Sequence, residues 1–138
     1  MTTEESKIQK ENYRLLANFL GWHHLPITEN QVNGGWYYND KWLSNYKNSN
    51  YINRKTQDLN FSSDWNKLLK VVEKIESIRH QKYGRFIVTI SEDTCLIRST
   101  NITKNDIYSK LYVSRNNKIR AVYESCLLFV KFWNNLNK

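Results

Sequence analysis

The chain has little of what punctuates or staples a fold. Its 138 residues include one proline, four glycines, two cysteines and one methionine. Two cysteines, Cys95 and Cys126, each inside an apolar stretch, exclude a disulfide-dense scaffold. They read as reduced, buried thiols. The scarcity of glycine leaves no phosphate-cradling Gly-rich loop ahead of a helix and no G-x-S-x-G elbow. No Cys/His set has zinc spacing. No apolar run approaches the ~20 residues of a membrane helix, and the mean hydropathy is −0.72. The start, Met1-Thr2-Thr3-Glu4-Glu5-Ser6, lacks the basic and apolar segments of a secretory signal. A cytoplasmic location with no membrane partner is therefore expected. Acidic residues are also few. Thirteen Asp and Glu face twenty-one Lys and Arg, a net charge of +8. That balance favours anionic partners: nucleic acid, nucleotides or acidic protein surfaces.

What is present is enough to bury a core. The chain is 40% hydrophobic and 14% aromatic, and its length fits one domain. The clearest element is an amphipathic helix over Ser62–Arg79. Trp65, Leu68, Leu69, Val72 and Ile75 recur at i, i+3, i+4, i+7. Val71 and Ile78 widen that stripe, while Lys67, Lys70, Lys74 and Ser77 fall opposite. Ser62, Ser63 and Asp64 are alternative N-caps. Glu76 falls inside the apolar stripe. It is either a carboxyl with a raised pKa or an end-of-helix group that meets water, Arg79 or His80.

The remaining elements follow in chain order. Residues from Thr3 to Leu20 form a first helix with Ile8, Leu15, Leu16, Phe19 and Leu20 on its apolar side. Gly21 is placed for a left-handed cap, with Trp22 folding back on the last turn. His23-His24 reads as a surface loop, and Pro26 bars a helix after it. Gly34-Gly35 opens an aromatic hairpin whose turn is Asn39-Asp40. Residues 44–60 lack apolar periodicity and are long for a connection, which marks a functional or loosely ordered loop. His80–Gly84 is a turn. Arg85–Ile90 is a strand apolar on both faces, expected to be covered on both sides. Ser91–Thr94 turns the chain back into the strand Cys95–Arg98. Ile107–Val113 is a further strand, and Asn117–Leu136 is the last helix. Ile119, Val122, Tyr123, Cys126, Val130 and Trp133 make its main stripe; Ala121, Leu128 and Phe132 make a second. A helix apolar on two sides is either central or at a subunit contact, so Leu128 and Phe132 are the expected interface of a homo-oligomer.

Four features stand together: Gly21-Trp22, the entry Phe61-Ser62-Ser63-Asp64-Trp65, the run Val71-Val72-Glu73-Lys74-Ile75-Glu76, and the start Lys118-Ile119-Arg120-Ala121-Val122-Tyr123. The arrangement, over residues from about 10 to 135, resembles the phage ABA sandwich domains, small proteins encoded by phages and prophages. The stretch 30–60 departs from that pattern. The resemblance implies an α+β fold, a three-layer α/β/α sandwich with a mainly antiparallel sheet and three helices. It also implies a host-cell cytoplasmic setting. It brings no catalytic residue.

No enzyme is expected, and no cofactor or metal. Two functions stand. The first is an accessory binding protein, in one version a counter-defence protein, that holds an anionic nucleotide or nucleic acid. Its stacking residues would be Trp36, Tyr38, Trp42 and Tyr46, and its phosphate contacts Lys41, Lys47, Arg54 and Lys55. Aromatic faces take bases of any sequence while Lys and Arg neutralise the backbone. The second is a module that grips a host or phage protein through the aromatic segment and the last helix.

Overall fold

Asp64 starts the first helix of the second half of the chain. Its carboxylate accepts hydrogen bonds from the backbone N–H of Asn66 (2.9 Å) and Lys67 (3.4 Å), which satisfies two donors that the first turn cannot pair internally. The computed structural model describes residues 3–25, 35–38, 41–42, 59–101 and 112–137. These form α1 (Thr3–Phe19), β1 (His23–Leu25), β2 (Gly35–Tyr38), β3 (Lys41–Trp42), α2 (Trp65–Ser77), β4 (Phe86–Ser91), β5 (Thr94–Ser99), β6 (Tyr112–Ser114) and α3 (Lys118–Leu136). The fold is mixed α+β, with two antiparallel sheets in strand orders β1-β2-β3 and β4-β5-β6. The chain divides into two units, Met1–Asn60 and Phe61–Lys138. The division falls at the entry to α2.

In the first unit α1 closes as its sequence predicts. Gly21 has φ +86°. Its N–H donates to Asn18 O and that of Trp22 to Ala17 O, the paired bonds of a Schellman cap. The buried side of α1 is Tyr13, Leu16 and Ala17, whereas Ile8 is 49% exposed. The expected stripe is turned: Leu16 is buried as expected, Leu15, Phe19 and Leu20 are half-buried, and Tyr13 and Ala17 complete the buried side. His23-His24 is not a loop. It is strand β1, paired with β2 as His23↔Tyr37, His24↔Trp36 and Leu25↔Gly35. Short paired strands of this kind draw on backbone bonds that no side-chain pattern announces.

In the second unit β4 and β5 pair over six residues, from Phe86↔Ser99 to Ser91↔Thr94, and β6 adds Cys95↔Val113. Residues alternate between faces, so Phe86, Val88, Ile90, Cys95, Ile97, Ser99 and Val113 share one. α3 packs on β5 and β6, α2 packs on β4, and the two helices touch. Phe86, Cys95, Ile97, Ser99 and Val113 are buried. The opposite face differs from expectation: Ile87 and Leu96 are half-buried while Thr89 and Arg98 are exposed. The second unit's helices cover one face, and β4 reads as apolar on both sides only because Ile87 interrupts an otherwise polar row.

The helices also refine the sequence reading. α2 buries Leu68, Val71, Val72 and Ile75. Leu69 is 39% exposed and Trp65 half-buried, so the stripe is turned toward Val71. Glu76 is exposed and accepts from the Val88 N–H on the outer edge of β4 (3.3 Å). It is neither buried nor paired with Arg79, whose guanidinium caps the carbonyls of Glu76 and Ile78 (3.0 Å each). α3 is the central helix. Ala121, Val122, Tyr123, Ser125, Cys126, Leu127, Phe129 and Val130 are all buried, so both of its stripes are largely covered within the chain. Burial pushes the Cys126 thiol well up, with the neighbouring Cys95 adding to it. Burial also raises Cys95, against a smaller opposing effect of its hydrogen bond with Ser125. Both thiols are therefore protonated and unreactive at neutral pH.

Candidate nucleic-acid interface

The aromatic segment forms two strands of the first sheet. Tyr37 pairs with Trp42 and Tyr38 with Lys41, so β2 and β3 are antiparallel neighbours; the expected turn residues Asn39-Asp40 lie outside the described residues. Residues i and i+2 of a strand and their direct cross-strand partners occupy one face. The register thus brings Trp36, Tyr38 and Lys41 to one face, together with His24 opposite Trp36. Trp42 falls on the other face with Tyr37 and His23. Four of the eight sequence-predicted binding residues are therefore on this ladder, and three share a face. The other four, Tyr46, Lys47, Arg54 and Lys55, lie outside the described residues.

A second aromatic group, which sequence reasoning did not single out, lies in the second unit. The turn His80–Gly84 is closed by reciprocal backbone bonds, His80 N–H to Gly84 O (2.9 Å) and Gly84 N–H to His80 O (2.7 Å). His80 Nδ1 accepts from the N–H of Lys82 (3.1 Å) and Tyr83 (3.3 Å), so the bonding pattern assigns the ring proton to Nε2. The Ser99 hydroxyl donates to Tyr83 O and is buried. Gly84 has φ +70°, and a Cβ there would meet Thr100 Oγ1 and Asn101 at 2.7 Å. Only glycine fits this position.

That turn delivers rings to the end of α3. Tyr83 meets Phe132 edge-on at 5.5 Å, Phe86 meets Phe129 at 4.9 Å, and His80 meets Trp133 at 5.8 Å. Trp133 lies nearly parallel to Phe129, 12° between planes. Phe129 is fully buried, whereas Phe132, Trp133 and His80 are half-buried. The expected interface residue Phe132 is thus engaged with Tyr83, Phe86 and Phe129. Leu128, the other, is 37% exposed. The Phe129, Phe132, Trp133 spacing, three rings within two helical turns, was the sequence signal for this group.

Three exposed cations lie in or beside this turn in the sequence. Lys82 Nζ stands 5.3 Å over the Tyr83 ring, and Arg79 and Arg85 flank the turn. None of the three forms an ion pair among the described residues. Among the described residues, no three His, Cys, Asp or Glu side chains gather as metal ligands, and no helix is long and apolar enough to cross a membrane. Compared with known proteins, the chain matches no family model, no curated protein and no solved structure.

Proposed function

We propose that the protein is a non-enzymatic binding protein for an anionic, base-containing ligand, a nucleotide or single-stranded nucleic acid. The observation that carries the reading is the register of β1, β2 and β3, which gathers Trp36, Tyr38 and Lys41 on one face. Two aromatics beside a cation suit a base and its phosphate. The net charge of +8 supports the same ligand class. A phage or prophage accessory role, including counter-defence, accords with the sequence resemblance. So does a three-layer α/β/α arrangement. The runner-up is a protein contact or self-association through α3, favoured by the exposure of Leu128.

Base stacking contributes ~1–3 kcal/mol per base. Two stacked rings with two basic residues, Lys41 and one of Lys47, Arg54 or Lys55, would give roughly micromolar affinity after the cost of association. Titration with oligonucleotides and with linear and cyclic nucleotides at low salt is the test. Trp36→Ala with Lys41→Ala should lose most of the binding. If no member of the panel binds the unaltered protein, the ligand class is wrong and the protein-contact reading takes its place.

A further inference from the structure

We infer that the outer edge of β4 is a docking edge for β4 of a second copy of this chain, and that Glu76 holds the edge shut. β4 ends its sheet, in the order β4-β5-β6. In an antiparallel ladder alternate residues bond to the neighbouring strand, and the others turn their backbone groups away from it. Arg85 O accepts from Thr100 N–H (2.9 Å) on the β5 side, so Ile87, Thr89 and Ser91 also bond inward. Phe86, Val88 and Ile90 therefore direct their N–H and C=O groups to the outer edge, where no strand follows among the described residues. The middle donor of that edge is taken: Glu76 Oε2 accepts from Val88 N–H at 3.3 Å. A carboxylate held against an edge strand in this way opposes the addition of another strand.

Register and charge select the occupant. Antiparallel pairing centred on Val88 sets Phe86 opposite Ile90 of the second copy and Val88 opposite its own equivalent. Outward-bonding residues then meet outward-bonding residues throughout, as a two-fold seam requires. The same register sets Arg85 opposite Ser91 and Gly84 opposite Glu92. Arg85 thus stands one residue from Glu92 of the second copy, with Asp93 next in line. All three are exposed, and Arg85 forms no ion pair among the described residues. Opposite charges therefore meet at both ends of the seam, which favours this register over others. α2 adds apolar surface beside it. Leu69, seven residues before Glu76, lies on the same side of the helix, and it is 39% exposed. That side looks toward the edge, because Glu76 reaches it. A continuous six-stranded sheet would bring the two copies' α2 helices together on one face, over the seam.

Light scattering of the full chain is the experiment, with Glu76→Ala as the opening variant. Glu76 is exposed, so the variant should fold normally. Its carboxylate is displaced twice in each dimer, so removing it should tighten self-association by about tenfold or more. The mass should approach twice the 16.6 kDa of the chain, and the Phe86 and Ile90 amides should gain hydrogen-exchange protection as concentration rises. In that background Arg85→Glu should weaken the dimer at low salt, and adding Glu92→Lys should restore it. A Glu76→Ala chain that stays at 16.6 kDa at every concentration would overturn the proposal. A dimer indifferent to Arg85→Glu, with unchanged exchange at Phe86 and Ile90, would overturn it too and assign the contact to another face, such as that of Leu128. A mass that climbs past two copies without a plateau would replace the two-fold seam with an open, head-to-tail contact.

Discussion

The two ends of the second unit solve the problem of surface charge in opposite ways. At one end, the start of α3, Glu124 receives Arg115 (2.8 Å) and Arg120 (2.6 Å). Asn117 caps the helix through Arg120 N–H, and the β4–β5 turn is tied to the β6 end by Arg115 N–H to Asp93 O. Charges there are spent on joining elements. At the other end the elements are joined by rings and by the closed turn His80–Gly84, Arg79 closes the end of α2 on the carbonyls of Glu76 and Ile78, and Lys82 stands over the Tyr83 ring. The difference separates cations that join elements through a shared carboxylate from cations that settle on carbonyls or a ring face.

If that division is right, the ring end carries the larger share of stability. Phe129→Ala should have the largest effect. The ring is fully buried and 4.9 Å from Phe86, and deleting a buried Phe costs about 3–5 kcal/mol. That is a large part of a small domain's stability. Denaturant unfolding measures it. A loss below about 1 kcal/mol would mean that the rings decorate the sheet rather than hold it.

Gly84→Ala should come next. The backbone at φ +70° costs a residue with a Cβ about 1–2 kcal/mol, and the new atom would stand 2.7 Å from Thr100 Oγ1, the acceptor of the Arg85 N–H. The turn should open, and the Lys82 and Tyr83 amides should lose hydrogen-exchange protection. Retained protection would show that the turn tolerates a shift.

Much of this architecture was legible in the residues. The Asp64 cap, the Gly21 closure and the β4–β5 hairpin follow from local chemistry, which a sequence states directly. What was misplaced depended on neighbours far along the chain. Leu69 and Val71 are equally apolar, and only the position of β4 and α3 decides that Val71 is buried. His23-His24 became a strand because β2 offered it a ladder. Of the candidate binding residues, Trp36, Tyr38 and Lys41 come together through a period-two alternation visible in the sequence. Trp42 falls on the other face for the same reason. The ring cluster was harder to see, because His80 and Tyr83 join Trp133 and Phe132 across about fifty intervening residues.

The smallest effect should come from the ion-pair end, and it is the one that pH can isolate. Partial burial pushes the Glu124 carboxyl up, but the hydrogen bonds and charges of Arg115 and Arg120 outweigh it and hold the group below its ordinary range. A carboxyl whose folded pKa is depressed stabilises the fold fully above its unfolded value, near 4.3. That contribution is lost as pH falls through the lower folded value. Both arginines are well exposed, with side chains 48% and 61% accessible, so solvent and salt screen the pair and its contribution should stay under about 1 kcal/mol. Glu124→Gln should therefore lower the melting temperature slightly at neutral pH and low salt. The gap from the unaltered protein should narrow in strong salt and close as pH drops below about 4. A gap that persists in acid would show that the Glu124 side chain acts through packing. The two ends would then differ less in kind than their charges suggest.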